Sequence, residues 1–341
     1  MLAEKKAELI ANNRVYIPKN VRIPHPYERS TAGPNAGQAS LAFKFKKHHI
    51  KLIKSNDPDE IFSLSFENNQ YHIYKKKDIF LNNVESLPIV FHAPHQAFIN
   101  IENRCIYNCA FCTLSTIKTN ALQTYSEKDF VHLLLKASQR PDCKAIAITS
   151  GVYPNNSIII KKMCTIIREI RQFLPKIPIG VEPAIEHKEE IHLLKNAGAD
   201  EIKINIQSPN KSLFNKICPD LDYEHIGISL DVAVQVFGKG KVTSNILFGL
   251  GETESSVITA VELLAKKGVV SSLRKIQVTE ENKIPLQNAI KSKLRDVTPQ
   301  QIMYLAMQQK KIFQKYNLNP NSFSTMCHSC GCCDIIPFWD I

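Results

Sequence analysis

No apolar run in this chain approaches the roughly 18 to 20 residues that a membrane-spanning helix needs, which excludes a helical integral membrane protein. The start, from Met1 to Ile10, mixes acids and bases and lacks the apolar core of a secretory signal. No export or transit peptide is therefore expected, and the expected location is cytoplasmic. A disulfide framework is also missing, although cysteine is plentiful. Such frameworks belong to short secreted chains, and this chain has 341 residues and ten cysteines, seven of them in two clusters. Clustered thiols in a reducing compartment read as metal ligands, whereas the scattered Cys143, Cys164 and Cys218 read as buried apolar residues.

The chain is 44% hydrophobic and 22% charged, which suits one large folded domain with attachments, or two domains. Its net charge is +11, with lysines gathered at Lys44, Lys46, Lys47, Lys51 and Lys54 and again at Lys75, Lys76 and Lys77. A nucleic-acid patch needs such clusters. Here, however, Phe43 and Phe45 alternate with Lys44 and Lys46, as in a strand with one solvated face. A wet face is the better reading, with a docking surface for an acidic protein second and nucleic acid last.

Three regions follow from the patterning. Residues 1–92 read as an extension plus a small β-rich module. A helix is expected to about residue 15, then a proline-rich stretch and a small-residue loop. Strand-period segments follow near 39–54, 61–67 and 70–75, with Asn68-Asn69 as a hairpin turn. Residues 93–318 alternate short apolar runs with helical stretches. Strands are expected near 97–101, 145–149, 177–182, 201–206, 242–248 and 274–278. The last helix opens at Thr298-Pro299, with a cap and a first-position proline. Six strands alternating with helices predict an α/β fold with a parallel sheet, either an incomplete barrel or an open Rossmann-like sheet. No G-x-G-x-x-G opens the first helix, which disfavours the open sheet. Residues 319–341 are a cysteine-rich terminal segment.

Within Cys105-Ile106-Tyr107-Asn108-Cys109-Ala110-Phe111-Cys112, three thiols stand at C-x3-C-x2-C spacing. A short curved loop can aim three thiolates at one iron–sulfur cube, which normally takes four, so one iron is left open. An open position marks a metal site that does chemistry rather than one that holds a fold. A zinc knuckle lacking one ligand is the alternative.

The spacing, and Phe111 directly before the last thiol, resemble the signature of the radical S-adenosylmethionine (SAM) superfamily. That resemblance spans roughly residues 95 to 290. It implies a partial (β/α)6 TIM-type barrel, a [4Fe-4S] cluster on Cys105, Cys109 and Cys112, and SAM on the open iron. It also implies a ferredoxin- or flavodoxin-type electron donor. Further segments resemble the SAM-contacting motifs of the biotin-synthase-like branch. Ser150 and Gly151 stand where a Gly-Gly-Glu edge is usual, although the glutamate is absent here. Glu182 ends the third strand. Asn205 matches a ribose-holding asparagine, and Gln207 stands where an acid is common. Gly249, Gly251 and Glu252 match a glycine turn that lets the backbone approach the adenosine. Each of these also has a plain reading as a strand end, a tight turn or a helix cap.

Cys327, Cys330, Cys332 and Cys333 place four thiols, with His328, within seven residues. Adjacent Cys332 and Cys333 are awkward for one tetrahedral zinc, so a second iron–sulfur cluster is expected, with zinc or redox-active thiols as alternatives. Ser30, preceded by Arg29, is a candidate outside ligand, by similarity to bacterial lipoyl synthase. The expected strand interiors lack the thiols that biotin synthase uses. The barrel plus a terminal cysteine cluster is similar instead to archaeal two-subunit lipoyl synthases. That implies sulfur insertion into an octanoyl chain on a lipoyl carrier domain, with a second radical SAM subunit as partner. Carbon-skeleton rearrangement or metallocofactor maturation is the runner-up. A non-enzymatic iron–sulfur or zinc protein that binds RNA is the reading from another class.

Overall fold

Strands buried on both faces read as unbroken apolar runs, and the six runs of the central region sit side by side as one parallel sheet. The computed structural model describes residues 2–23, 28–29, 38–114, 125–291 and 294–341. It starts with helix α1 (Leu2–Asn12), which buries Ala7, Leu9 and Ile10. A first sheet follows: β1 (Arg14–Tyr16), β2 (Glu28–Arg29), β3 (Ala39–Phe45), β4 (His48–Ser55), β5 (Phe62–Glu67), β6 (Gln70–Lys75) and β7 (Asp78–Leu87). Its order is β2-β3-β4-β1-β5-β6-β7, and β3 also pairs with β7, which closes six of the strands into a small ring. Phe43, Leu52, Phe62, Leu64 and Ile73 are among its fully buried residues.

The expected strand over 39–54 is a hairpin instead. Lys46 has a φ of 54° and turns the chain between β3 and β4. Strand β7 was not expected, because half of its residues face solvent and its sequence shows little apolar alternation.

The second sheet begins with β8 (Ile89–Val90) and β9 (Ala93–Pro94), antiparallel strands at one edge. Then β10 (Gln96–Asn100), β11 (Ala145–Thr149), β12 (Ile179–Glu182), β13 (Glu201–Lys203), β14 (Val242–Phe248) and β15 (Val270–Lys275) pair in chain order, all parallel. No pairing joins β10 to β15 among the described residues, so this is a partial (β/α)6 barrel.

Helices α2 (Glu127–Ser138), α3 (Asn156–Phe173), α4 (Lys188–Ala197), α5 (Lys211–Ile217), α6 (Tyr223–Phe237) and α7 (Glu254–Lys267) fall between the strands. Side-chain caps start most of them: Ser126, Asn155, Asn210, Asp222 and Thr253 each accept from a first-turn amide. After the sheet come α8 (Glu280–Ile290), α9 (Pro299–Lys315) and the short α10 (Met326–Cys330). Thr298 caps α9, as its sequence indicates.

The sixth strand lies four residues before its expected start. Ser271 and Ser272 are fully buried polar residues that interrupt the apolar run, and Gln309 Nε2 donates to the Ser271 carbonyl at 2.9 Å. No helix of the described residues is long and apolar enough to cross a membrane.

Candidate functional site

The cysteine loop leaves the carboxyl end of β10, and five contacts hold its curve. Ile106 N donates to the Val152 carbonyl at 2.8 Å and Ala110 N to the Ile217 carbonyl at 2.8 Å. Asn108 donates through its backbone N to Asp220 at 2.7 Å, and Tyr107 Oη donates to Glu186 at 2.8 Å. Asn282 at the start of α8 donates to the Phe111 carbonyl at 2.9 Å. Sequence patterning missed α8 because Pro285 lies inside it, although its Thr279/Asn282 capping box is readable in retrospect.

Cys105, Cys109 and Cys112 are all half-buried. Burial pushes the Cys112 thiol up to about 12, with Cys109 and Cys105 adding to the rise. A hydrogen bond with Cys218, then burial, raises Cys109, and burial raises Cys105. Cys218, taken from the sequence as an ordinary core residue, thus touches the loop. Thiols that repel one another's ionisation this way deprotonate together when metal arrives. Among the described residues no three Cys, His, Asp or Glu side chains converge closely enough for a single metal ion. Three half-buried thiols on one short loop are a donor set that an iron–sulfur cube can take, one thiolate to each of three irons.

Gly151 lies directly behind the loop. It donates to the Glu102 carbonyl at 2.8 Å, and a Cβ there would collide with the Arg104 carbonyl. Ser150 donates to the Gly151 carbonyl at 2.6 Å.

A cavity of about 210 Å³ opens at the carboxyl ends of the strands, and it collects residues from both ends of the chain. Glu182, Asn205, Gln207 and Asn245 line it, with Phe111 of the cysteine loop. Asn205 Nδ2 donates to Glu182 Oε1 at 2.6 Å, and Asn245 N donates to Asn205 Oδ1 at 3.0 Å. The buried Asn245 Oδ1 has no hydrogen-bond partner among the described residues, so a polar acceptor is left for a ligand. Gln207 holds a φ of 59° and bridges to Ile246 of β14. Gly249, Gly251 and Glu252 do not line this cavity. Glu252 accepts from Gly249 N at 2.6 Å and Leu250 N at 2.8 Å, so its carboxylate serves its own turn.

Cys327, Cys330, Cys332 and Cys333 line the same cavity. Their segment is docked on β4 and α1. Lys51 N donates to the Cys332 carbonyl at 3.0 Å, Lys6 Nζ to the Gly331 carbonyl at 2.7 Å, and Trp339 Nε1 to the Lys47 carbonyl at 2.6 Å. On the barrel side, a Cβ at Gly180 of β12 would collide with Thr325. Thr325 is fixed in turn by donating to Glu201 Oε2 at 2.6 Å.

Three cations surround the four thiols. Lys203 Nζ lies 3.3 Å from Cys327 Sγ and 3.1 Å from Glu182 Oε1. Burial alone would lower Lys203, but Cys327 and Glu182 outweigh it and hold the ammonium above its usual value. Half-buried Arg274 is likewise held well above its usual value, as Asp334, Cys327 and Cys333 overcome the cost of desolvation. Cys332 hydrogen-bonds Cys330, which keeps the Cys330 thiolate down to about 7 against burial, with Lys51 and Arg274 helping. Buried cations close around thiols offset negative charge, as an anionic iron–sulfur group requires.

Sequence reasoning missed all three. Lys51 read as part of a solvated face, yet it is 8% exposed, because the second face of β4 packs on the cysteine segment. Lys46 and Lys47 do face solvent, as do Lys75, Lys76 and Lys77. His328 turns away from the thiols and lies 3.0 Å from Thr243 Oγ1, and burial lowers its imidazole to about 4. Ser30 lies outside the described residues.

Comparison with known proteins agrees with this geometry. Residues 99–264 match the Radical SAM superfamily. A biotin synthase from Pelobacter propionicus is 30% identical over 175 residues, covering 49% of this chain and 51% of that protein. A lipoyl synthase from Buchnera aphidicola subsp. Schizaphis graminum is 23% identical over 256 residues, covering 70% of this chain and 78% of that protein. The chain thus spans about half the length of the biotin synthases it matches. The X-ray structure of the FeFe-hydrogenase maturase HydG from Carboxydothermus hydrogenoformans shares the fold, with a TM-score of 0.50 and 17% identity over 65% of this chain and 52% of that one. With a C-x3-C-x2-C loop at the end of the first strand of a partial barrel, the chain carries a radical SAM domain over residues 99–264, a domain family that implies a [4Fe-4S] cluster and SAM.

Proposed function

We propose that this chain is a radical SAM enzyme that inserts sulfur into unactivated C–H bonds of an octanoyl chain carried on a lipoyl domain. One observation carries this reading: a single cavity is lined both by Glu182, Asn205 and Gln207 at the strand ends and by the four terminal thiols. A radical formed near the strand ends and a sulfur source at the terminal thiols would then share one space.

In this reading Cys105, Cys109 and Cys112 hold the first cluster. Bound there with SAM, that cluster supplies a 5′-deoxyadenosyl radical, which is the cofactors' chemistry rather than the protein's. Glu182, Asn205, Gln207 and the Asn245 carbonyl orient SAM from the strand ends. Ser150 and Gly151 back the loop, while Gly249, Gly251 and Glu252 shape the turn behind the nucleoside. Ile50, Leu52, Phe98 and Met326 wall the cavity with apolar surface, which suits an aliphatic chain and excludes water. Cys327, Cys330, Cys332 and Cys333 hold a second cluster as the sulfur source, and Lys51, Lys203 and Arg274 offset its charge.

A ferredoxin- or flavodoxin-type donor supplies the electron, and a second radical SAM subunit completes the pair. The +11 charge of the chain suits an acidic carrier domain. The test is anaerobic reconstitution with iron, sulfide, SAM and reductant, followed by addition of an octanoylated carrier peptide. Formation of 5′-deoxyadenosine together with a sulfur-bearing peptide is expected. Release of 5′-deoxyadenosine with no sulfur product, even with a partner subunit supplied, would sink the sulfur-insertion reading. No 5′-deoxyadenosine under any condition would sink the radical reading itself.

A further inference from the structure

Lys203 ends β13 with its side chain 4% exposed, and it touches both the Glu182 carboxylate and the Cys327 sulfur, which line the same cavity. Its ammonium is 3.1 Å from Glu182 Oε1 on β12 and 3.3 Å from Cys327 Sγ on α10. The network continues away from the cysteines through Asn205 Nδ2 to the same Glu182 oxygen and through Asn205 Oδ1 to the Asn245 amide. A lysine ammonium has three protons and no acceptor, so it can serve both anions at once. An arginine fork at this position would favour one bidentate partner.

We propose that Lys203 is a positioning residue that couples Glu182 to Cys327, so that occupancy at either end is felt at the other. The inference rests on the proposed assignment of Glu182 and Asn205 to SAM and of Cys327 to the second cluster. The physical basis is sharing. With the Glu182 carboxylate on one hand and a cluster-bound thiolate at 327 on the other, the ammonium divides its field between the two. When the anion at 327 is lost, the ammonium turns wholly to Glu182, whose oxygens then accept less well from a hydroxyl or ammonium of SAM. Linkage makes the effect reciprocal, so bound SAM also changes the surroundings of Cys327.

The test is a double-mutant cycle on the reconstituted full chain: unsubstituted protein, C327A, K203M and K203M/C327A. Equilibrium dialysis gives the SAM dissociation constant of each, and iron content is measured on the same samples. With Lys203 present, C327A is expected to weaken SAM binding by about fivefold or more, the lower end of ordinary site–site coupling. In the K203M background the same substitution is expected to change it less than about twofold. Lys203→Gln, neutral but polar, replaces K203M if that variant does not fold, and Lys203→Arg is expected to keep part of the coupling. A purely structural lysine would shift SAM affinity by itself, independently of residue 327.

Unmoved SAM affinity in C327A, or an equal effect of C327A with and without Lys203, overturns the inference. The two readings fail separately. Loss of iron in C327A with unmoved SAM affinity removes the coupling and leaves the second cluster. Coupling without any loss of iron, even when all four terminal thiols are replaced, removes the cluster and leaves the lysine shared between Glu182 and the Cys327 thiolate.

Discussion

Lys6→Met is expected to release the cysteine-bearing segment from its berth without unfolding the barrel. Lys6 is 1% exposed, pairs with Asp340 Oδ2 at 2.5 Å and donates to the Gly331 carbonyl at 2.7 Å. Asp340 is equally buried, and its other oxygen meets His48 Nδ1 at 2.7 Å. Methionine keeps much of the packing volume but leaves a buried carboxylate with one partner fewer. Breaking a buried pair from one side costs about 3–5 kcal/mol. Here that cost falls on local docking of residues 331–341, because Lys6 touches that segment and not the barrel sheet. The amides that report the opening are Ile336 N, bonded to Asp340 Oδ2 at 2.7 Å, and Asp340 N, bonded to the Ile336 carbonyl at 2.8 Å. At about 1.4 kcal/mol per decade, their hydrogen exchange should speed up by roughly two to four orders of magnitude. Amides of β11 and β12 should stay as protected as before. The double variant K6M/D340N removes both charges and should recover much of the loss. Exchange of the 336–340 amides within about threefold of the unsubstituted protein would refute the reasoning, since local opening would then not depend on the pair.

Three further outcomes follow from the same packing. Gly180→Ala drives a Cβ into Thr325, which Glu201 holds in place, so overpacking of about 1–3 kcal/mol is expected. A lower melting temperature, with loss of iron from the terminal thiols but not from the loop, would show it in calorimetry and metal analysis. Arg274→Gln removes a half-buried cation beside Cys327, Cys333 and Asp334 and should make the terminal site about 10- to 100-fold more sensitive to an iron chelator, leaving the loop site unaffected. The third outcome concerns acid. Burial by itself would raise Asp340, but Lys6 and the hydrogen bonds from His48 and Lys6 pull it below the usual carboxylate range. Its folded value lies below its unfolded one, so the stability it contributes is full above about pH 4 and fades as pH falls through the folded value. Emission from the chain's single tryptophan, Trp339, should report undocking in that acid window, and Asp340→Asn should flatten the change.

The barrel was legible because its strands are buried on both faces and so read as apolar runs at regular spacing. Ala145–Thr149 and Val242–Phe248 lie at their expected positions. The loop was legible because its three thiols are local in sequence. What was hidden depends on partners far along the chain. Lys51 looks like any strand lysine until the Cys332 carbonyl, some 280 residues away, is found against its amide. Lys203 sits at the end of a short strand whose apolar neighbours give no hint that Cys327 lies beside it. Cys218 looked like core filling because α5 brings it to Cys109 only in the folded chain. The local role of Glu252, whose carboxylate holds the Gly249 turn, was likewise not visible in its motif. Local chemistry shows in a sequence, whereas the second half of this site is made by the two chain ends meeting over the barrel.

That the chain holds two thiol-bound iron–sulfur groups is tested most directly by counting iron and acid-labile sulfide per chain. The reconstituted protein should carry about eight irons, and the variant with Cys327, Cys330, Cys332 and Cys333 all replaced by alanine should carry about four. The same count near four in both proteins would contradict the account.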